Sequence, residues 1–217
     1  MANFKRSRPN PRGGGPDPPI QYLRLIVEAR LIPRFLQLTE RGFRLKIAAS
    51  LSIRELLCKH LGISEDYVDN RIQTIFLDGR PVDDVDTASI QNGSKLALSA
   101  AMPGLVGITL RKGGFYASLR STISYSKTEA SIVKDEGEIV LKFFNLVAKE
   151  LGPVFLQKGI MVEGKTFQNL VLQTADDLKA AGSSIYLNGE QVDIVKLLEM
   201  NWENTEIFLQ VTSKEES

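Results

Sequence analysis

Two words decide how this chain is read: Ile75-Phe76-Leu77-Asp78-Gly79-Arg80-Pro81-Val82-Asp83 and Ile185-Tyr186-Leu187-Asn188-Gly189-Glu190-Gln191-Val192-Asp193. Each sets an apolar triplet before Asp-Gly or Asn-Gly, the dipeptides that tolerate positive φ and close two-residue hairpins. An earlier pair, Leu31-Ile32-Pro33-Arg34-Phe35-Leu36-Gln37 and Leu151-Gly152-Pro153-Val154-Phe155-Leu156-Gln157, shares Leu, Pro, Phe, Leu and Gln in register. The two words recur in the same order, with a shorter interval in the second copy. Ordered self-similarity of this kind marks a duplicated folding unit.

Around these words the first copy reads as strand, strand, helix, strand, short strand, strand. Tyr22 to Leu31 is rich in aliphatic and β-branched residues, and Gly42 to Ile47 alternates apolar with basic, which is strand periodicity. Ser52 and Glu55 have capping-box spacing, Ile53, Leu56, Leu57 and Leu61 follow at helical intervals, and Gly62 supplies a stop. Arg71 to Leu77, the residues around Pro81 and Lys95 to Ala101 complete the copy. The second copy fits the same scheme with strands at Glu138 to Val147 and Phe155 to Val162. A helix then runs from about Thr166 to Ala181, and strands follow at Ser184 to Leu187 and Glu206 to Thr212.

This element order resembles the β-grasp fold of ubiquitin-like and ThiS/MoaD-type sulfur-carrier proteins, most clearly over Ile75 to Ala101 and less so over Ile185 to Val211. The resemblance implies an α+β fold of two tandem β-grasp-like domains, each a mixed sheet with one crossing helix. The corresponding organisation is a disordered basic Pro/Gly tail (1–19), domain 1 (20–101), a Gly-containing β-hairpin connector (102–125), domain 2 (126–212) and a short tail (213–217). In that family function implies a carboxyl-terminal Gly-Gly, whereas this sequence finishes Ser213-Lys214-Glu215-Glu216-Ser217. Thr109-Leu110-Arg111-Lys112-Gly113-Gly114 is similar to the tail of ubiquitin. Strand-like runs on both sides, however, make Lys-Gly-Gly the turn of a hairpin.

Composition narrows the function classes. The 27 Lys plus Arg against 26 Asp plus Glu leave a net charge of +1, too small a field to recruit nucleic acid or anionic membrane, the basic tail aside. One cysteine, Cys58, and one histidine, His60, cannot make a disulfide or a Cys/His zinc site, and point to a reducing, cytoplasmic setting. No apolar run approaches the roughly 18 to 20 residues of a membrane span.

Candidate site residues are few. Gly104, Gly107, Arg111, Lys112, Gly113 and Gly114 gather small residues and positive charge in the connector, as an interaction or anion site would. Trp202, the single tryptophan, is either an interface anchor or the lid of a small core. Asp83, Asp84 and Asp86 read as solvated turn acids. No catalytic, metal or cofactor constellation is recognisable, so the chain reads as a non-enzymatic adaptor engaging a protein partner through sheet faces or edges. The alternative is a sulfur-carrier or modifier-type protein activated at Gly114.

Overall fold

The computed structural model describes residues 19–47, 51–102, 104–120, 123–125 and 137–216; the tail at 1–18 and the start of the second copy at 126–136 lie outside them. The chain runs through β1 (Ile20–Val27), α1 (Ile32–Arg41), β2 (Phe43–Ile47) and β3 (Leu51–Ser52) to wide helical turns at Glu55–His60 and Tyr67–Arg71. Then come β4 (Thr74–Leu77), β5 (Arg80–Pro81), β6 (Ser89–Ile90), β7 (Lys95–Ser99), α2 (Gly104–Leu110) and a 3₁₀ turn at Phe115–Arg120. The remainder is β8 (Gly137–Phe144), α3 (Asn145–Lys158), β9 (Ile160–Glu163), α4 (Gly164–Ala180), β10 (Ser184–Leu187), β11 (Glu190–Val192), α5 (Ile194–Glu199) and β12 (Glu206–Ser213).

Several elements form for the reasons legible in the sequence. The Ser52 hydroxyl accepts from the Glu55 amide at 3.1 Å and the Glu55 carboxylate accepts from the Ser52 amide at 3.1 Å, which is the reciprocal capping box. Asp78-Gly79 and Asn188-Gly189 each take two successive positive φ angles, 52° and 79°, then 52° and 90°. These are the left-handed pairs of tight hairpins, joining β4 to β5 and β10 to β11.

The fold is α+β, with one mixed sheet of ten strands in the order β11-β10-β1-β12-β9-β2-β8-β7-β4-β5, and β3 paired with β6 apart from it. From β9 outward the pairings run antiparallel, parallel, antiparallel, antiparallel, and from β2 outward they repeat that series. The halves do not follow the two sequence copies. β1, from the first copy, lies between β10 and β12, while β8, from the second, lies between β2 and β7. At the seam β2 meets β9 through the single pair Arg44 and Met161.

The crossovers are helical: α1 fills the interval between the first two strands, to which the sequence reading gave no element, and α3 takes the first residues of the strand expected over Phe155 to Val162. Leu31 to Gln37 falls mostly in α1 and Leu151 to Gln157 in α3; each helix carries the chain from a strand in one half of the sheet to a strand in the other. Pro33 sits in the first turn of α1, where no intrahelical N–H is missed, and Pro153 lies inside α3. Both helices stop at a left-handed glycine, Gly42 at φ 111° and Gly159 at φ 100°. They pack side by side on one face, where Phe43, Phe143 and Phe155 form a triangle of rings with centroids 5.0 to 5.6 Å apart and Phe35 is fully buried. Burying each phenyl contributes about 1.5–3 kcal/mol, so the repeated Leu-x-Pro-x-Phe-Leu-Gln word encodes the core beneath the seam.

That face also carries Leu23, Leu25, Ile75, Leu98, Leu141, Ile160, Ile207 and Leu209, all buried. The opposite face is partly open, with Tyr22 packed on Phe208 at 5.9 Å between ring centroids. In its middle Arg44 is 8% exposed and pairs with Glu138 of β8 at 3.6 Å and with Glu206 of β12, clamping the two halves across the seam.

The connector is corrected too. Leu105 to Leu110 is helical and Phe115 to Arg120 is a 3₁₀ turn, so the stretch read as a β-hairpin makes no strand pair among the described residues. Within it the Thr109 hydroxyl donates to carbonyls of α2 and the Gly114 and Ala117 amides donate to the Arg111 and Gly114 carbonyls, while the Lys112 amide reaches the Gln73 carbonyl at 2.7 Å and ties the segment to the start of β4.

Candidate functional site

The region between β7 and the 3₁₀ turn gathers what the molecule offers for recognition. Arg120, buried, organises it: its guanidinium donates to both oxygens of Asp83 at 2.6 and 3.0 Å, to the Thr109 and Arg111 carbonyls at 2.7 and 3.1 Å, and to the Ser124 hydroxyl at 2.7 Å. Asp83 also accepts from the Gly113 amide at 3.0 Å. A buried, multiply bonded guanidinium of this kind holds a segment in one geometry because every donor has a fixed acceptor. The Lys112 ammonium turns inward to the Val68 carbonyl at 2.6 Å, and burial pulls its pKa down.

Of the residues singled out in the sequence, Gly104 and Gly113 take positive φ, and Gly107 is the point of closest approach. A Cβ at Gly107 would stand 1.7 Å from the Met102 carbonyl oxygen, so α2 folds back on its own entry only with glycine there. Gly114 donates to the Arg111 carbonyl within the turn. The two cations are used differently: Lys112 is consumed by helix carbonyls and Arg111 stays at the surface. Trp202 is fully buried against Phe167 at 5.3 Å, and its indole donates to the Leu197 carbonyl at 2.8 Å; it closes a core between α4 and α5 and offers no surface for an interface anchor. The turn acids are engaged as well: Asp83 by Arg120, Asp86 by Arg54, and Asp84 by the Asp86 and Thr87 amides. Cys58 is half-buried, with its thiol pKa raised by desolvation.

Two features went unread in the sequence. The first is an apolar ridge carried by the anchored segment: Leu105 is 74% exposed, Val106 57%, Ile108 54%, Phe115 89% and Ile123 57%. The alternation that suggested strand is the outer face of a short helix and turn, and nothing local distinguishes the two.

The second is a notch of about 280 Å³ in the open sheet face, lined by Phe76, Ala97, Ser99, Met102, Phe144 and Asn145. Cross-strand register creates it. Ala97 on β7 faces Phe76 on β4, and Ser99 faces Thr74 on β4 and Phe144 on β8, so a row of small side chains runs between two rings. Met102 closes the end as the chain leaves β7 for α2. Asn145 begins α3 in the left-handed region at φ 54°, and its amide donates to the Ser99 hydroxyl at 3.0 Å. Thr74, one step across the ladder, is 1% exposed, and its hydroxyl has no hydrogen-bond partner among the described residues.

No helix among the described residues is long and apolar enough to cross a membrane. Compared with family models, curated proteins and solved structures, the chain matches none of them, so no relative bears on its activity.

Proposed function

We propose that this chain is a non-enzymatic, cytosolic binding protein, built from two interleaved β-grasp-like units, that holds a protein partner against the ridge Leu105, Val106, Ile108 and Phe115. The observation that carries this reading is the exposure of that ridge, with Phe115 at 89%. Contiguous exposed apolar surface on a soluble domain costs solubility and marks a contact surface, and the Arg120 and Lys112 anchors present this one from a fixed backbone. A protein partner suits it better than an anionic bilayer. Two of the segment's three cations, Lys112 and Arg120, are spent on internal acceptors, leaving Arg111 at the surface. The β-grasp reading rests on the same run of strand pairings in each half of the sheet. Activation at Gly114 draws no support from its geometry, since Gly113 and Gly114 are bonded into the turn that Asp83 and Arg120 hold.

The test places a photo-crosslinking phenylalanine analogue at position 115 of the full chain in its native cells, with the same analogue at Tyr186 as the comparison. A single stoichiometric protein adduct from position 115, lost when Ile108→Asp is added, is the expected result. Adducts to lipid alone, or protein adducts equally abundant from both positions, would remove the basis for the proposal.

A further inference from the structure

We infer that the notch between β4, β7 and β8 is a binding site for an uncharged, mainly aromatic small molecule of about two fused rings that carries one hydrogen-bonding group. This goes beyond the partner surface: it concerns a different set of side chains and does not depend on that reading.

The chemistry follows from the lining. Phe76 and Phe144 supply ring faces and edges, Met102 a polarisable thioether, and Ala97 a floor low enough to admit a flat group between them. Aromatic pairs and sulfur–ring contacts both favour an aromatic occupant over an aliphatic one of equal size. A dry apolar cavity of about 150 Å³ accommodates benzene; this notch has about 280 Å³, room for a second ring. None of the six described lining residues carries a charge, and the side chain of Lys142, cross-strand from Ala97 on β8, is not among them, so an anion or a cation would be desolvated there without a counter-charge in that lining.

The polar end is equally specific. Asn145 and Ser99 are hydrogen-bonded to each other at the rim, which leaves the serine proton and the amide carbonyl as the available groups. Thr74 lies beside Ser99 on the same sheet face, buried, its hydroxyl unpartnered among the described residues. A buried hydroxyl without a partner costs the protein stability. Thr74 is not itself part of the lining, so a ligand hydroxyl or amide seated at the rim meets the Ser99 proton and the Asn145 carbonyl. After an extended N-cap at Phe144, Asn145 holds a left-handed backbone where the first helical residue is ordinarily right-handed, and backbone strain of this kind collects where a site must be shaped.

The experiment titrates the full-length chain at neutral pH with 1-naphthol, following naphthol fluorescence, alongside naphthalene and 1-naphthalenesulfonate. Saturable one-site binding of 1-naphthol is expected, about tenfold tighter than naphthalene, with the sulfonate weaker than either. Ala97→Leu, which fills the floor, and Met102→Ala, which opens the end, are each expected to weaken 1-naphthol about tenfold or more. Ser99→Ala, which removes the rim hydroxyl, should bring 1-naphthol down to the affinity of naphthalene while leaving naphthalene itself unchanged. Circular dichroism establishes that each variant is folded, and either floor or end variant suffices if the other is not. No saturation, 1-naphthol binding that survives in every folded floor or end variant, or sulfonate binding as tightly as the alcohol would overturn the assignment.

Discussion

Thr74 and Gly159 are single residues whose energetics the sequence conceals. Thr74 looks like an ordinary strand threonine, yet it buries a hydroxyl that finds no partner among the described residues. Thr74→Val removes that group at nearly constant volume and is expected to stabilise the unliganded protein by about 1 kcal/mol, read as a higher urea midpoint with unchanged slope. Gly159 announces itself as a helix stop, but its second role is visible only in three dimensions. At φ 100° it lets the Phe208 ring lie where a Cβ would stand, 2.2 Å from the nearest ring carbon. Gly159→Ala therefore combines a forbidden backbone with a displaced ring and should cost about 2–3 kcal/mol in thermal or chemical melts. Gly62, by contrast, is a stop with open space around it, and the sequence reads its role in full.

Among the elements, the tie between the Tyr67–Arg71 turn and α3 sets a pH dependence. Glu150 accepts from Arg71 and, at 2.8 Å, from the Tyr67 hydroxyl, and these bonds, the Arg71 one foremost, hold its carboxyl at about 2. Because the folded-state pKa lies below the unfolded value of about 4.5, the pair stabilises the fold above that value and its contribution is lost as pH falls toward 2. Glu150→Gln is expected to flatten the acid limb of a stability-against-pH curve between about 4.5 and 2 and to leave the neutral region with a small loss. Partial exposure of both partners keeps the effect modest. The connector gives a second prediction. Arg120→Ala removes five hydrogen bonds that hold α2 and the following turn against Asp83. Amide exchange over residues 104–120 should then accelerate at least tenfold while the sheet strands keep their protection. In α3, Gly152 and Pro153 stand inside the helix as breakers, and a tertiary face packed with Phe155 outweighs them; in α1, Pro33 lies in the first turn and breaks nothing, and the helix owes its place to the buried Phe35 and Leu38.

For the whole molecule, the decisive property is that neither copy is complete on its own. Residues 20–101 lack β8, which fills the gap between β2 and β7, and residues 126–212 lack β1, which fills the gap between β10 and β12. A fragment of 20–101 or of 126–217 is therefore expected to show no cooperative thermal transition alone. The mixed fragments should regain one, since each supplies the other's missing strand. Independent melting of either fragment would mean that its half can close without the exchange. What the sequence by itself determined is local: most of the strands, the capping box and the left-handed turns follow from short-range sterics and periodicity, and the structure retains them, while the runs at Leu105 to Leu110, Phe115 to Arg120 and Phe155 to Lys158 became helical. What only the tertiary structure decided is which strands pair. Strand patterns encode an apolar face but no partner, so β1 and β8 satisfy the same face equally well in either half. The choice falls to α1 and α3, whose common packing over Phe43 and Phe143 carries the chain across the seam. The ridge and the notch lie at that same level, because exposure and cross-strand juxtaposition exist only once the long-range pairings are made.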